Sequence, residues 1–580
     1  MASRPTRCLP QPRRTGVAFS FPRLTRSSSR MPLRSSARSI APLAVALAAL
    51  FALLGSGCTP RDTAVQSGNR DQVIHIGNLT EPTDLDPHVI SSQQDSHLTM
   101  ALFEGLVQYD PTDSTPVPAV AERWENSADG LTWTFHLRSN AQWSNGAPVT
   151  AHDFVFAYRR MLTPSLAAEY ASLLYVLKNG QPLNTGKLTD VTQLGARAAD
   201  DHTLVLTTEY PVPYLPTMLC HAAWYPLHRP TLEKHGGLTQ RGSAWTRPGN
   251  FVGNGYFVLA EWKPHQFIRV TKSPTYWDRD AVKLSAAVFY PIESEDAEER
   301  TFRAGQLHTT STLPISKIAI YRQEKSPYFH PHVFLGTFFL RFNVEQKPLN
   351  DPRVRRALSL AIDRERFVRD VLRGGQMPAG HLTPPNTAGF NARTKIAYDL
   401  PTAQKLLADA GFPGGQGFPK LEFLYNSTEA NRLIAEALQQ MWNKGLGIDL
   451  TMQNQEARVQ SASMRSGDYQ IGRYAWIGDF LDPSTFLELM TGDSGNNLTR
   501  WRNADYDRVY AEANRTADNA QRYELYQRCE EIIAAECPIA PIYFYTRNNL
   551  RRPEVKGWYG NLLDNHPLKG VYLDAAAAVK

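Results

Sequence analysis

The 580-residue chain has 42% hydrophobic and 20% charged residues, which excludes a largely disordered chain and provides for about two to four folded domains. Its net charge of +6 comes from residues 1–57, which hold nine arginines, no lysine and no acidic residue. The remainder carries 53 basic and 56 acidic residues, a net charge of −3. This balance excludes the broad basic surface typical of nucleic-acid-binding proteins, so we expect no nucleic-acid partner.

An apolar run at residues 40–55 follows basic residues and is shorter than the roughly 20 residues that a membrane-spanning helix needs, so it predicts a secretory signal (residues 1–57). Met31 begins the conventional leader "MPLRSSARS", and we expect translation to start there. The segment ending at Cys58 resembles the lipobox of bacterial lipoproteins, in which the cysteine is acylated, although Gly55 stands where leucine is usual. The polar residues 58–70 are typical of a tether.

The first predicted elements of the folded part are two strands and a helix. "QVIHIGNL" predicts a strand, and "LTWTFHLR" predicts a second one with a single buried face, because large apolar residues alternate with polar residues. "VTAHDFVFAYRRML" predicts a helix, with Thr150 as its N-cap and Asp153 stabilising the first turn.

Later segments predict a further helix and a βαβ unit. "NDPRVRRALSLAIDRERFVRDVL" predicts one helix that is capped by Asp351 and has Pro352 in its first turn. The strand "KLEFLYN", the helix "EANRLIAEALQQMWNK" and the strand "GIDLTMQNQE" follow in order. Such a unit normally joins parallel strands, so we expect a mixed α/β fold with a partly parallel sheet.

Three cysteines lie in the globular part of the chain, after Cys58, and their pairing stays open at the level of sequence. Cys529 and Cys537 would lie about 12 Å apart on one continuous helix, too far for a disulfide. They could pair only if the helix ends before "CPIAPIYFY", and Cys220 is the third candidate.

No catalytic signature is present. "GQPLNTGKLT" superficially resembles a phosphate-binding loop, but five residues separate Gly180 from Gly186 and Leu188 occupies the place of the magnesium-binding hydroxyl. The sequence has no nucleophile elbow, zinc-protease motif or paired Cys-x-x-Cys. We therefore expect no catalytic residues, no metal and no cofactor, and interpret the chain as a binding protein.

Eight motifs occur in the order found in the oligopeptide-binding proteins of ABC peptide importers, and the chain resembles that family over nearly its whole folded part. The motifs are "EPTDLDPH", "LFEGLVQYD", "VAERWENSADGLTWTFHLRSNAQWSNGAPVTAHDFVFAYRRML", "NGYFVLAEW", "SPTYWD", "DPRVRRALSLAIDR", "LLADAGFP" and "PIAPIYFY". The resemblance implies a type II-like periplasmic binding protein with two lobes that close over a peptide and one additional domain, three domains in all.

The resemblance also implies where the domains lie. Carried over from the family, the first lobe comprises 71–103, 230–330 and 546–580, the additional domain 104–229, and the second lobe 331–545.

A peptide enclosed between two lobes loses water from its amides and from both charged ends, and each needs a partner. Strands of the protein can form hydrogen bonds with the ligand backbone whatever side chains the ligand carries. A buried ligand ammonium needs a carboxylate as its partner. Large, hydrated pockets can accommodate many different ligand side chains, because water supplies the missing hydrogen bonds.

The segment "RYAWIGDFLDPSTF" resembles the family segment that meets these needs. By this resemblance, Asp479 receives the α-ammonium of the ligand, Trp476 walls a side-chain pocket, and the backbone around Ile477 pairs with the ligand. Arg473 offers a cation for a ligand carboxylate, and Tyr170 in "EYASLL" helps to hold the N-terminal end.

Each of these residues also has a structural interpretation. Asp482 precedes Pro483 and predicts a turn or cap, and Asp479 could do the same. Trp476 could belong to a core and Arg473 to an ion pair.

The sequence departs from the family member compared most directly at three positions, where we expect larger or differently polar side-chain pockets. Ser91 replaces a glutamate, Ala457 a tryptophan and Met464 an arginine, with Arg465 adjacent.

The resemblance implies a monomeric receptor in the periplasm or cell envelope, anchored to the membrane through Cys58, that delivers oligopeptides to permease subunits. Within the family, a dipeptide or a cell-wall murein peptide is an alternative ligand. A sensor or chaperone role without transport is a further alternative. A secreted peptidase is the alternative from another class, and the missing catalytic residues disfavour it.

Overall fold

The computed structural model describes residues 62–90 and 92–577. Its strands are β1 Val73–Gly77, β2 Val107–Tyr109, β3 Pro116–Pro118, β4 Ala121–Asn126, β5 Thr132–Leu137, β6 Ala196–Asp200, β7 Thr203–Thr207, β8 Phe257–Lys263, β9 Phe267–Lys272, β10 Ala286–Tyr290, β11 Phe329–Phe342, β12 Met377–Pro378, β13 Leu421–Asn426, β14 Leu450–Gln455, β15 Ile471–Ile477, β16 Ile539–Leu550, β17 Val555–Lys556 and β18 Tyr572–Leu573.

The α-helices alternate with these strands along the chain. They are α1 Ala64–Asp71, α2 Gln93–Leu102, α3 Ala151–Met161, α4 Gly180–Asn184, α5 Leu215–Met218, α6 Arg229–Lys234, α7 Glu295–Arg303, α8 Ile315–Gln323, α9 Pro352–Leu360, α10 Arg364–Arg366, α11 Leu400–Asp409, α12 Glu429–Leu446, α13 Ala457–Ser466, α14 Ser484–Leu487, α15 Ala504–Arg515 and α16 Asn519–Glu536. No helix in the described part of the chain combines the length and the apolar character needed to span a bilayer.

Three sheets organise the fold. One has the strand order β1-β10-β9-β8, with β1 parallel to β10, and a second, fully antiparallel sheet has the order β4-β5-β7-β6. The third has six strands in the order β12-β16-β11-β15-β13-β14, and in it β13 runs parallel to both β14 and β15. The predicted mixed α/β class and the parallel pairing of the βαβ strands are confirmed.

Strands β11 and β16 extend beyond the six-stranded sheet as a two-stranded ribbon. Residues 329–333 pair with residues 546–550, and a register shift separates this part from the pairing inside the sheet. Within β11, β15 pairs with residues 336–342 only, and within β16, β12 pairs with residues 543–544 only, so neither strand reaches this part. We call residues 329–333 and 546–550 the ribbon.

Two hydrophobic cores hold the tryptophans that are completely buried. Trp143, Trp224 and Trp245 lie in the larger core, and Trp442 lies in the core of the six-stranded sheet. The Nε1 of Trp442 donates to the carbonyl of Leu358 at 2.9 Å, so this indole is satisfied inside the core.

The predicted N-caps are confirmed at two helices. Thr150 caps α3, and its backbone N–H donates to the Asp153 carboxylate at 2.8 Å. Asp351 caps α9, with its carboxylate accepting from the N–H of Arg353 at 2.8 Å and Pro352 in the first turn.

The prediction of one helix over residues 350–372 is wrong. Helix α9 ends at Leu360, and a new helical segment begins after Asp363, whose carboxylate accepts from the N–H of Arg366. The buried Arg364 guanidinium donates to the carbonyls of Ser359 at 3.0 Å and of Pro541 at 2.6 Å. This arginine satisfies the Ser359 carbonyl, which a continuing helix would otherwise have paired, and ties the helix end to β16.

The three described cysteines, Cys220, Cys529 and Cys537, are free and buried. Helix α16 ends at Glu536, which meets the condition for a Cys529–Cys537 bond, but that bond is not formed. The expected acylation site Cys58 and the expected start Met31 lie outside the described residues. Residues 64–70 of the segment predicted as a tether are helical, because they belong to α1, which ends at Asp71. The predicted domain boundaries stay predictions.

A buried ion pair joins two of the family-like motifs. The Arg160 guanidinium of α3 donates to both carboxylate oxygens of Asp86, at 3.1 and 2.6 Å, and each side chain is only 2% exposed. Breaking such a pair leaves a buried charge without its counter-charge.

We therefore expect Asp86→Asn to lower the free energy of unfolding by about 3–5 kcal/mol. Urea denaturation followed by circular dichroism measures the change. The control is Glu122→Gln, which removes an exposed pair with Arg123 and should cost less than about 1 kcal/mol. Equal losses in the two variants would contradict a structural role for the buried pair.

Candidate functional site

Strand β15 is paired along its whole length on one side only. Its residues 471–477 pair with residues 336–342 of β11, but on the other side only Ile471 and Gly472 pair with β13. Residues 473–477 therefore present an edge without a strand partner in the described part of the chain. The side chain of Gln460 donates to the carbonyl of Arg473 at 3.1 Å, but no backbone strand covers the edge. An extended chain could add there through main-chain hydrogen bonds.

Asp479 lies just beyond this edge. The N–H of Gly478 donates to the carbonyl of Leu335 at 2.8 Å, and a Cβ at position 478 would lie only 2.7 Å from the Leu335 side chain. Glycine at position 478 thus allows the backbone to lie close to Leu335, and this contact fixes the position of Asp479. The N–H of Asp479 donates to Thr485 Oγ1 at 3.3 Å.

Among the residues that the structure describes, the carboxylate of Asp479 has no cationic partner. The residue is half-buried, and its carboxylate makes no hydrogen bond or ion pair with any residue in the described ranges. Burial, with a smaller contribution from the Glu488 carboxylate, raises the pKa of Asp479 to about 7. Desolvation and the like charge of Glu488 both disfavour the ionised Asp479 carboxylate. A cation that binds beside it would compensate for this cost.

Two tyrosines lie in the electrostatic neighbourhood of Asp479. Burial and then the Asp479 carboxylate raise the pKa of Tyr170 to about 12. Burial raises the pKa of Tyr109, to which Asp479 also contributes. The Tyr170 ring packs against His221 with centroids 4.7 Å apart. The Tyr170 phenol is therefore within electrostatic range of the Asp479 carboxylate, and its role in holding the N-terminal end of a ligand stays a prediction.

Tyr109 is a candidate that the sequence analysis did not single out. It ends β2 and is buried. It belongs to the motif "LFEGLVQYD", which was quoted for the resemblance, but nothing in that motif distinguishes a site tyrosine from a core tyrosine.

Trp476 and Arg473 point to opposite faces of the sheet, because they are separated by an odd number of positions on a strand that pairs with β11 without a register shift. Trp476 is half-buried against the larger core, and its Nε1 is buried without a hydrogen-bond partner. The Arg473 guanidinium lies over the Phe338 ring at 5.1 Å. It has no carboxylate partner within the described ranges, so the structural ion pair considered for it is not found there.

Ile477 ends β15 with 40% of its surface exposed. Its backbone pairs with Gly336 on the covered side of the strand, which leaves the other side open.

Asp482, in contrast to Asp479, has structural partners for both of its carboxylate oxygens. Its Oδ2 forms an ion pair with Arg522 at 2.8 Å, and both side chains are 2% exposed. Its Oδ1 accepts from the N–H of Ser484 at 3.0 Å. The turn-capping role predicted for Asp482 is confirmed.

Of the three positions at which the sequence departs from the family member, the structure describes the side chain of Met464. Met464 is buried against Gly472 and Tyr469, while Arg465 is exposed. Ser91 and the side chain of Ala457 lie outside what the structure describes. Within the described ranges, no group of three or more His, Cys, Asp or Glu side chains is arranged to hold a metal ion.

Comparison with known proteins gives a consistent result. Residues 115–497 match the model of the bacterial extracellular solute-binding proteins, family 5. The chain is 34% identical to the periplasmic oligopeptide-binding protein OppA of Salmonella typhimurium over 537 residues, covering 91% of this chain and 97% of OppA.

Two solved structures share the fold. The unliganded open form of the periplasmic murein tripeptide-binding protein MppA has a TM-score of 0.76 at 34% identity, covering 89% of this chain and 99% of MppA. Haemophilus influenzae OppA in complex with the peptide RPPGFSPFR has a TM-score of 0.70 at 34% identity, covering 87% and 99%. The predicted type II-like binding-protein fold is confirmed.

The raised pKa of Asp479 has a consequence for the stability of the ligand-free protein. The folded state holds this proton more tightly than the unfolded chain, whose aspartates titrate near 3.9. The contribution of Asp479 to stability is therefore fully present below about pH 4 and is lost as the pH rises to about 7.

We therefore expect Asp479→Asn to raise the free energy of unfolding relative to wild type, by more at pH 8 than at pH 5. Urea titrations of the peptide-free proteins at pH 5, 6, 7 and 8 measure this difference. Asp482→Asn is the matched control and should lower stability at every pH, because it leaves Arg522 buried and unpaired. A difference for Asp479→Asn that does not change with pH would show that its carboxyl group has an ordinary pKa.

Proposed function

Since this chain belongs to family 5 of the bacterial extracellular solute-binding proteins, we propose that it binds oligopeptides and delivers them to the membrane permease of an ABC importer. The observation that carries the proposal is the half-buried, uncompensated Asp479 carboxylate at the end of an unpaired strand edge. A free peptide offers both complements, an α-ammonium at one end and an extended backbone beside it. Relatives named as oligopeptide-binding proteins support the same ligand class.

In this proposal the peptide binds antiparallel to β15, with its amino terminus at Asp479. Its α-ammonium neutralises the carboxylate, and Tyr170 and Tyr109 enclose that end. Its backbone pairs with residues 473–477, around Ile477, so that affinity does not depend on the sequence of the ligand.

Trp476 and Arg473 serve the remaining parts of the ligand. The unpartnered Nε1 of Trp476 and its half-buried ring support a role as a pocket wall that still offers one hydrogen-bond donor. Arg473, which lacks a carboxylate partner in the described part of the chain, is the cation for a ligand carboxylate.

The proposal includes the three-domain layout, with lobes 71–103 + 230–330 + 546–580 and 331–545 and the additional domain 104–229. The protein works as a monomeric receptor and not as an enzyme, and a murein peptide or a dipeptide is the alternative ligand within the family. Native mass spectrometry of the protein as isolated would identify carried-over peptides by mass. Cleavage products after incubation with mixed peptides would overturn the receptor proposal in favour of a peptidase.

We expect Asp479→Asn to weaken the binding of a free-amine peptide by two to more than three decades. The ammonium would be left without its counter-charge, which costs about 3–5 kcal/mol. Calorimetric titration of both proteins with one peptide and its N-acetylated form measures the effect. The acetylated peptide should bind wild type poorly and be insensitive to the substitution.

The alternative role of Asp479, a turn cap, makes a different prediction. Asparagine caps turns as well as aspartate, so affinity would change by only a few tenths of a kcal/mol. Affinities of the two proteins for the free-amine peptide that agree within about threefold would exclude Asp479 as the ammonium partner.

The proposed location is the periplasmic side of the cell envelope, with the protein anchored through acyl chains on Cys58. Stable anchoring needs two membrane signals, which a multiply acylated cysteine provides. We expect Cys58→Ser to move the protein from the membrane fraction to the soluble periplasmic fraction, as measured by immunoblotting after osmotic shock. An unchanged distribution in the variant would exclude the lipid anchor.

A further inference from the structure

A second candidate site lies at the far end of the ribbon, and none of its residues belongs to the site around Asp479. There a cavity of about 270 Å³ is enclosed by the ribbon and its continuation on one side and by residues 558–566 on the other. The residues that line it include two aromatic residues, Phe329 and Trp558, one arginine, Arg551, and the histidines His330, His332 and His566.

Arg551 is a half-buried cation without a counter-ion. No carboxylate in the described part of the chain lies within ion-pair distance of its guanidinium. Its Nη1 donates to the carbonyl of Trp558 at 2.6 Å, and its Nη2 donates to His330 Nδ1 at 3.2 Å. Burial alone lowers the pKa of Arg551. A guanidinium has five N–H groups, so it retains donors for a further acceptor.

The carboxylate that contacts the histidines of the cavity wall, Asp564, is already occupied. Asp564 accepts at Oδ1 from His332 at 3.1 Å and from His566 at 3.0 Å. Its Oδ2 lies 3.2 Å from both Arg547 Nε and Gln93 Nε2. The carboxylate is therefore fully engaged by residues other than Arg551, and the cavity wall contains no Asp or Glu.

Arg551 is the one guanidinium in the cavity wall, and two of the three histidines of the wall, His332 and His566, are hydrogen-bonded to Asp564. Burial and the neighbouring Arg551 lower the pKa of His330 to about 4, so its imidazole is neutral at pH 7 and can accept from Arg551. A single half-buried cation between aromatic walls matches a ligand with one negative charge and a flat apolar group.

We propose that this cavity at the ribbon binds a small monocarboxylate with a flat apolar group, whose carboxylate pairs with Arg551 and whose apolar part lies between Phe329 and Trp558. The site is independent of the proposed peptide site, and neither needs the other.

The test uses ¹⁹F NMR of 4-fluorobenzoate with the full-length protein at pH 7 and constant ionic strength. The neutral isostere 4-fluorobenzamide and the dianion 4-fluorophenyl phosphate are the comparison probes. We expect saturable binding of 4-fluorobenzoate, at least tenfold tighter than that of 4-fluorobenzamide and tighter than that of the phosphate ester. Equal affinities for the acid and the amide would overturn the proposal, because the cavity would then be only an apolar crevice.

Three arginine variants locate the bound carboxylate. Arg551→Met should abolish the preference for the acid. Arg552→Met is the matched control and should leave affinity within twofold, because Arg552 donates to the carbonyls of Leu307 and Phe302 and does not line the cavity. Arg473→Met should also have no effect.

Loss of binding in Arg473→Met with retention in Arg551→Met would place the probe at the β15 edge and overturn the proposal. A stronger preference for the phosphate ester would overturn the assignment to monocarboxylates. If Arg551→Met does not fold, as judged by circular dichroism, the wild-type comparison of acid with amide and the Arg473→Met variant still decide the question.

Discussion

A carboxylate that is partly removed from water and has no cation beside it is costly, and the rest of the proposed site can be understood from that cost. The glycine before Asp479 allows the chain to approach Leu335, so the carboxylate is held where desolvation raises its pKa. The strand before it offers an open edge that begins at the same point. Under the proposed function, charge and edge together match a ligand with an ammonium followed by an extended backbone.

Asp479 and Asp482 show why this assignment needed a structure. Both are aspartates in one short segment near a Pro-Ser turn, and local sequence allows each to cap that turn. Only the tertiary partners separate them, since Asp482 meets the buried Arg522 of a distant helix and Asp479 meets no cation in the described ranges. The family resemblance, and not the local pattern, pointed to Asp479.

Local rules predicted the elements that depend on local contacts. The caps of α3 and α9 and the strands of the βαβ unit follow from spacing and residue type over a few positions. The break between α9 and α10 depends on Arg364 reaching Pro541, almost two hundred residues away, and could not be predicted from the segment itself. Tyr109 and the cavity beside Arg551 were missed for the same reason, because their neighbours come from remote parts of the chain.

The open edge of β15 also bears on how the protein avoids self-association. An unpaired strand edge is a template for any extended chain, including another copy of the same protein, and such edges promote aggregation. Here the unpaired stretch is confined to residues 473–477, with β13 closing it at one end and the strand ending before Gly478 at the other. A short edge with a carboxylate at its end pairs poorly with the interior of a long strand, which has no free ammonium, so this arrangement favours short free peptides over protein segments.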